Sequence, residues 1–429
     1  MTETEKAFLA ALKNMLHPGN SALHPGSSTF HPAGSADMEK EPDEETDWMA
    51  VLNMAKKQSM LPLVYDAATA FPSFASVEDS LADYFTSAIA TMSKQMQKTD
   101  AFLALYRSFL AAGLAPITMK GIICRDLYGE RADYRPSGDE DILIEKKDYE
   151  RAVAVLESCG YEKEEEPDKD MAVIQEVTFH GRDLSIELHL NPFGVSSSRR
   201  ERMNDWFKNV FQSEETVQIK GVFVRTMQPT DHFLFLVFHA FKHFLFSGFG
   251  VRMMLDILLF AEKYGDRIDW DYIDRGLTDV GANGFLADLM EIGNRYLGFP
   301  FPQGDHSMFF GKTVCPDDLL EDMFQMGTFG NTSDADRTAG RIVADTLQKG
   351  KHRESRLGSY LRLLFPSWRT WCAWRPYLKD RPWMVVCEWF RRVARYLRGE
   401  TSTSNLKELD KSYGIAEERM ALLGKYGVL

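Results

Sequence analysis

Two short runs constrain this chain more than any other feature: "DEDILI" at residues 139–144 and "LSIELHL" at 184–190. Side chains of an extended strand alternate between its two faces. Asp139 and Asp141 therefore share one face, while Glu140, Ile142 and Ile144 share the other. In the second run Ile186, Leu188 and Leu190 alternate with Glu187 and His189. Each run reads as a strand with acids on one side and aliphatics on the other, and the two belong side by side in one sheet.

The surrounding pattern is α+β. "APITMKG" reads as a short strand, "IICRDLYG" as a short helix, "KDYERAVAVLESCGY" as an amphipathic helix, and "AVIQEVTFHG" with "LSIELHL" as a hairpin. "VQIKGVFVRTM" reads as one further strand. Helical spacing precedes this unit and follows it, with Thr230 or Asp231 as the candidate cap of the helix after Pro229. The segments expected are 1–47, flexible with a His-Pro repeat at His17, His24 and His31; 48–115, helical; 116–228, the α/β core; 229–300, helices covering the cleft; and 301–429, a helical Trp/Arg-rich extension.

Composition narrows the classes. A chain of 429 residues with 44% hydrophobic residues can bury a sizeable core. A formal net charge of −13 speaks against a uniformly basic surface for nucleic acid. Five cysteines without a C-x-x-C pair point to neither a zinc ribbon nor a disulfide framework, and so to a cytoplasmic setting. The N-terminus lacks a basic signal-peptide region, and "FLFLVFHAFKHFLF" is too short to span a bilayer.

Two carboxylates about 7 Å apart on one strand face suit divalent cations bound between them, the arrangement of two-metal phosphoryl transfer. Glu187 offers the third carboxylate, and His189 shares its face. Ser137–Gly138 lets backbone approach closely. Lys120–Gly121 at a helix start makes a candidate phosphate receptor. Arg135 is a further candidate, as are Lys242 and Arg252 on the helices after Pro229. His239 and His243, four apart, read as core histidines bonded to Asp256 or a backbone carbonyl, with substrate or phosphate contact as the functional alternative. The tryptophans among arginines in 350–398 read as a packed amphipathic extension, with nucleotide stacking or a membrane surface as the functional alternatives.

Lys120-Gly121, Tyr128-Gly129, Arg135, Asp139-x-Asp141, Gly160-Tyr161 and Glu187-Leu188-His189 together resemble a family of uncharacterised bacterial nucleotidyltransferases, itself similar to the polymerase β-like superfamily. The likeness runs from about Trp48 to 275. Two features depart from the pattern: Lys120-Gly121 stands where the superfamily has Gly-Ser, and Glu140 stands where an aliphatic residue is usual between the acids.

The resemblance implies a polymerase β-like core, a mixed sheet with helices, flanked by helical segments. It implies metal roles for Asp139, Asp141 and Glu187, with Lys120 on the nucleotide. The expected cofactors are two Mg2+ ions, with Mn2+ possible, and an NTP as co-substrate. The expected acceptor is a small molecule, sugar, peptide or protein. Asn at either aspartate is expected to stop turnover while leaving the fold intact. The rival expectations are a non-catalytic nucleotide-binding or scaffold protein and a kinase-like phosphotransferase.

Overall fold

The two acid-bearing runs fold as neighbouring strands, β2 (Asp139–Leu143) and β5 (Ser185–His189), paired in parallel. The computed structural model describes residues 1–17, 42–164, 175–194, 198–302, 311–327, 334–349, 365, 368, 371, 378, 381–398 and 406–428. His24, His31 and most of 350–380 lie outside the described residues.

Strand β1 (Ile117–Thr118) pairs antiparallel with β2, and β4 (Glu176–His180) antiparallel with β5. The edges are β3 (Glu162–Lys163) beside β4, and the hairpin of β6 (Glu214–Ile219) with β7 (Val222–Met227) beside β1. The result is one mixed seven-stranded sheet in the order β3-β4-β5-β2-β1-β7-β6 within an α+β architecture.

The aliphatic face of this sheet makes the core. Ile142, Ile186, Leu188 and Phe179 join Phe102, Leu105, Tyr106 and Phe109 of the long helix Ala82–Ala111, spaced three and four apart, and Ala152, Val155 and Leu156 of the helix Tyr149–Ser158. Gly113, at φ +68°, supplies the left-handed turn after the long helix.

Three expectations are corrected. "VQIKGVFVRTM" is a hairpin, not one strand: Lys220 and Gly221 both take positive φ, the two-residue turn that joins twisted antiparallel strands. Residues 1–47 are not flexible throughout. Glu3–Leu16 is a helix closed by a Thr2–Glu5 capping box, with Phe8, Leu9 and Leu12 fully buried. Neither Thr230 nor Asp231 caps the helix Pro229–Phe246: the Thr230 hydroxyl accepts from Asp269 N at 3.0 Å, and Asp231 accepts from Ser213 Oγ at 3.1 Å.

The chain divides into two compact units. The first comprises Met1–Phe241 with Gly250–Thr328, and holds the sheet. The second comprises Lys242–Phe249 with Phe329–Leu429; within it the helices Asp334–Lys349 and Leu406–Lys425 pack together, and Arg419 donates to Phe244 O at 2.5 Å. Among the described residues no helix is long and apolar enough to cross a membrane.

His232 ties the helix Pro229–Phe246 to the sheet. Its Nε2 lies 2.7 Å from Met119 O and its Nδ1 3.1 Å from the Thr226 hydroxyl, which also reaches Thr118 O. Burial pushes this imidazole down to about 4 against an ordinary 6.5, outweighing the bond to Met119. The unfolded chain therefore takes the proton first. Stability is fully present above the unfolded value and is lost as pH falls toward the folded one, by about 2 kcal/mol between roughly pH 7.5 and 5. His232→Gln should flatten this part of the profile in denaturant titrations at both pH values. Parallel profiles for the two proteins would contradict the assignment.

Candidate active site

The parallel register sets Asp141 directly opposite Glu187, Asp139 opposite Ser185, and Leu143 opposite His189. On the next strand Thr178 faces Glu187 and Glu176 faces His189. Asp139, Asp141, Glu187, His189 and Glu176 thus line one polar face of the sheet. One ligand atom from each of Asp141, Glu187 and His189 lies within 4.8 Å of the others. The alternation of the two strands brings Asp141, Glu187 and His189 together, with Asp139 on the same face.

Asp141 is buried, yet two cations reach the same oxygen: Lys120 Nζ at 2.8 Å and His189 Nε2 at 3.1 Å from Oδ1. Burial alone would raise the Asp141 carboxyl, but these partners outweigh it and hold it well below the usual range. His189 Nε2 also lies 3.4 Å from Glu187 Oε2, and Nδ1 lies 3.5 Å from Glu176 Oε2. Burial lowers the imidazole, but the bonds to Asp141 and Glu187 raise it to about 9. Glu187 is pushed up to about 7 by burial, against the bond from His189, and the Asp141 and Asp139 charges add to the rise. Lys120 is held above its ordinary range because Asp141, Asp139 and Glu187 outweigh its burial. Asp139 is half-buried and has no hydrogen-bond partner among the described residues.

Behind this face lies a second set of polar groups. Glu140, on the aliphatic side of β2, is fully buried and meets Arg125 Nη1 at 2.7 Å. Its Oε2 accepts from Ile122 N at 2.7 Å and so caps the helix Ile122–Asp126. A Cβ built on Gly121 would land on this carboxylate, and φ at Gly121 is +58°. Gly121 is glycine for that reason. At this helix start the Ile122 amide already has an anionic partner in Glu140.

The Ser137–Gly138 turn is likewise spoken for. The Ser137 hydroxyl accepts from Arg125, its amide donates to Gln95 Oε1 at 3.0 Å, and Lys98 Nζ donates to Ser137 O at 2.7 Å and Gly138 O at 2.6 Å. These contacts hold the entry to β2. Gly138 itself faces open space: a Cβ there would meet nothing within 4 Å. A cavity of about 460 Å³ opens at this point, lined by Lys94, Lys98, Gly138, Arg182 and Ser185 among others.

The basic candidates fare differently. Arg135 is buried and binds Asp256 through Nε at 2.8 Å and Nη2 at 2.5 Å, with Tyr128 donating to the same carboxylate at 3.0 Å. That pair displaces the expected histidine bond to Asp256. Arg252 donates to Pro136 O at 2.5 Å, one residue before the clamped turn. Arg135 and Arg252 are therefore supports of the loop that leads into the acids. Lys242 falls in the second unit, and its expected role stays a proposal of the sequence. The residue that the helix Pro229–Phe246 does bring to the site is His239, whose Nε2 lies 3.4 Å from Lys120 Nζ.

The donor set fits a divalent cation. Oxygen-rich sites suit Mg2+ and Mn2+, and Asp141 and Glu187 supply two carboxylates in reach of one ion, with His189 beside them. His189, bonded to Asp141, orients that carboxylate as an outer partner does.

A family model described as "Uncharacterised nucleotidyltransferase" matches residues 44–298, more than half of the chain. No curated protein and no solved structure matches it.

If the Glu140 carboxylate fixes the identity of residue 121, Gly121→Ala should cost about 2 kcal/mol or more in the otherwise unchanged protein. In a Glu140→Ala background the same change should cost less, because the clash is gone while the strain of the positive φ remains. Denaturant unfolding of both single variants and the double variant gives the coupling; additive costs would contradict the contact.

Proposed function

The chain belongs to this nucleotidyltransferase family, and on that premise we propose that it transfers a nucleoside monophosphate from an NTP to an acceptor hydroxyl or phosphate on a polymerase β-like core. The observation that carries the reading is the register of β2 and β5, which puts Asp141 opposite Glu187 with Asp139 two residues earlier on the same face. A divalent cation held by Asp139, Asp141 and Glu187, Mg2+ with Mn2+ as substitute and two ions in the full arrangement, supplies positive charge against the transferred phosphoryl group.

The chain's own residues do the rest. An acceptor oxygen attacks the α-phosphorus, the bond to the bridging oxygen breaks, and diphosphate leaves with the electron pair. The acceptor's proton leaves by way of Glu187, whose side chain keeps 25% of its exposure while that of Asp141 keeps 1%. Lys120 exchanges Asp141 for phosphate oxygens when the triphosphate enters. The cavity beside Gly138, with Lys94 and Arg182 exposed at its rim, takes an anionic part of a substrate. A cytoplasmic setting, where NTPs are at hand, belongs to the same proposal.

A second reading draws on one observation: Asp141 already has Lys120 and His189 as partners. A site neutralised from within suits a protein that binds nucleotide without turnover. Purified protein incubated with each labelled NTP, Mg2+ or Mn2+, and a cell extract separates the readings. Diphosphate release with a product heavier by one nucleotide supports the transferase. A product heavier by one phosphate indicates a kinase-like reaction, and nucleotide binding without either product indicates the non-catalytic reading.

In the same assay Asp139→Asn, Asp141→Asn and Glu187→Gln should each lower turnover at least about a hundredfold. Asp139→Asn should melt like the parent protein, since that carboxylate has no hydrogen-bond partner among the described residues. Asp141→Asn should lose about 1–3 kcal/mol as well, because Lys120 and His189 lose their shared anion. Calorimetry on both variants checks the contrast, and equal melting would contradict the pairing of Asp141.

A further inference from the structure

In the second unit the helix Met384–Leu397 presents a stripe that the nucleotidyltransferase reading does not use. Met384, Val385 and Trp389 pack with Trp371 and Leu378, and Glu388 is buried beside them. On the opposite side Trp383, in the turn that enters the helix, Val386 and Phe390 follow one another at three and four residues and are 69%, 46% and 73% exposed. Singly exposed apolar residues need no explanation, but three large ones on one helix face do.

Charge gives the stripe its partner. Residues 350–398 hold twelve Lys or Arg against three Asp or Glu, in a chain whose net charge is −13. Arg391 and Arg398, seven apart, run along one side of the stripe, both exposed. Glu388 is the one acid on this helix; it is buried, and it pairs with Arg391 at 2.7 Å.

We propose that this helix docks the protein on an anionic lipid surface. At fourteen residues it is too short to span a bilayer and suited to lie in the headgroup region. Val386 and Phe390 enter the acyl boundary, Trp383 sits at headgroup level, and Arg398 extends to lipid phosphates. The order of groups favours lipid over nucleic acid. The centre of the stripe is an aliphatic side chain and two aromatic ones, while the cations stand to the side; a nucleic-acid surface turns its cations toward the phosphates.

The test is sedimentation of the full chain with phosphatidylcholine vesicles, with and without phosphatidylserine. Binding should require phosphatidylserine and weaken as salt is raised. Trp383→Ser with Phe390→Ser should weaken it at least about tenfold while melting is unchanged, since both side chains are exposed. Arg398→Glu should weaken it as well. Absence of binding to the anionic vesicles overturns the proposal, as does equal binding by the double-serine variant. Two further outcomes without vesicle binding also overturn it: light scattering that shows a dimer dissolved by the serine changes assigns the stripe to self-association, and retention of labelled single-stranded RNA assigns it to nucleic acid.

Discussion

The buried pair of Glu140 and Arg125 is the contact on which the site depends. Glu140 sits between the two aspartates but points the other way, into the aliphatic side of the sheet, where it meets Arg125 and caps the helix that follows Lys120. A buried ion pair of this kind contributes little net stability when complete, because desolvation offsets the attraction. Its effect is positional. It requires glycine at 121, aims Lys120 across the strand at Asp141, and brings Arg125 to the Ser137 hydroxyl. Burial pushes the Glu140 carboxyl up and Arg125 draws it back toward the charged form.

From that contact the support spreads through backbone carbonyls. Arg252 takes Pro136 O, Lys98 takes Ser137 O and Gly138 O, and Gln95 takes the Ser137 amide. Two helices far apart in the chain, Ala82–Ala111 and Val251–Tyr264, thus hold the three residues before Asp139. On the other face the acids are held by register: the parallel pairing of β2 with β5 places Asp141 and Glu187 side by side, and shifting it by one residue would turn one of them into the core. A preorganised cluster of carboxylates is what charge stabilisation in phosphoryl transfer calls for.

The polar face was readable from sequence because alternation is a local property. Asp141, Glu187 and His189 follow from the period of two, and their convergence needs only that the two strands be neighbours. The supports were not readable. Arg135 pairs with Asp256 across 121 residues and Arg252 reaches Pro136 across 116, and spacing says nothing about such partners. Cations near acids therefore read as phosphate ligands until burial shows which are already bonded. Lys98 and Gln95 were hidden inside an ordinary helical pattern. Glu140 looked like a lapse in a buried strand, whereas its burial explains Gly121. Two misses did leave a signal: the Thr2–Glu5 capping box before Phe8, Leu9 and Leu12, and Lys-Gly between alternating residues at 220–221.

The central claim is that Asp141 and Glu187 form a cation site for nucleotide chemistry. Diffraction from crystals grown with Mn2+ and a non-hydrolysable NTP, recorded for anomalous scattering, tests it most directly. The account predicts an anomalous peak about 2.2 Å from carboxylate oxygens of Asp141 and Glu187, with Lys120 moved from Asp141 to phosphate oxygens. A nucleotide bound with Lys120 still on Asp141 and no peak between the two carboxylates would contradict it.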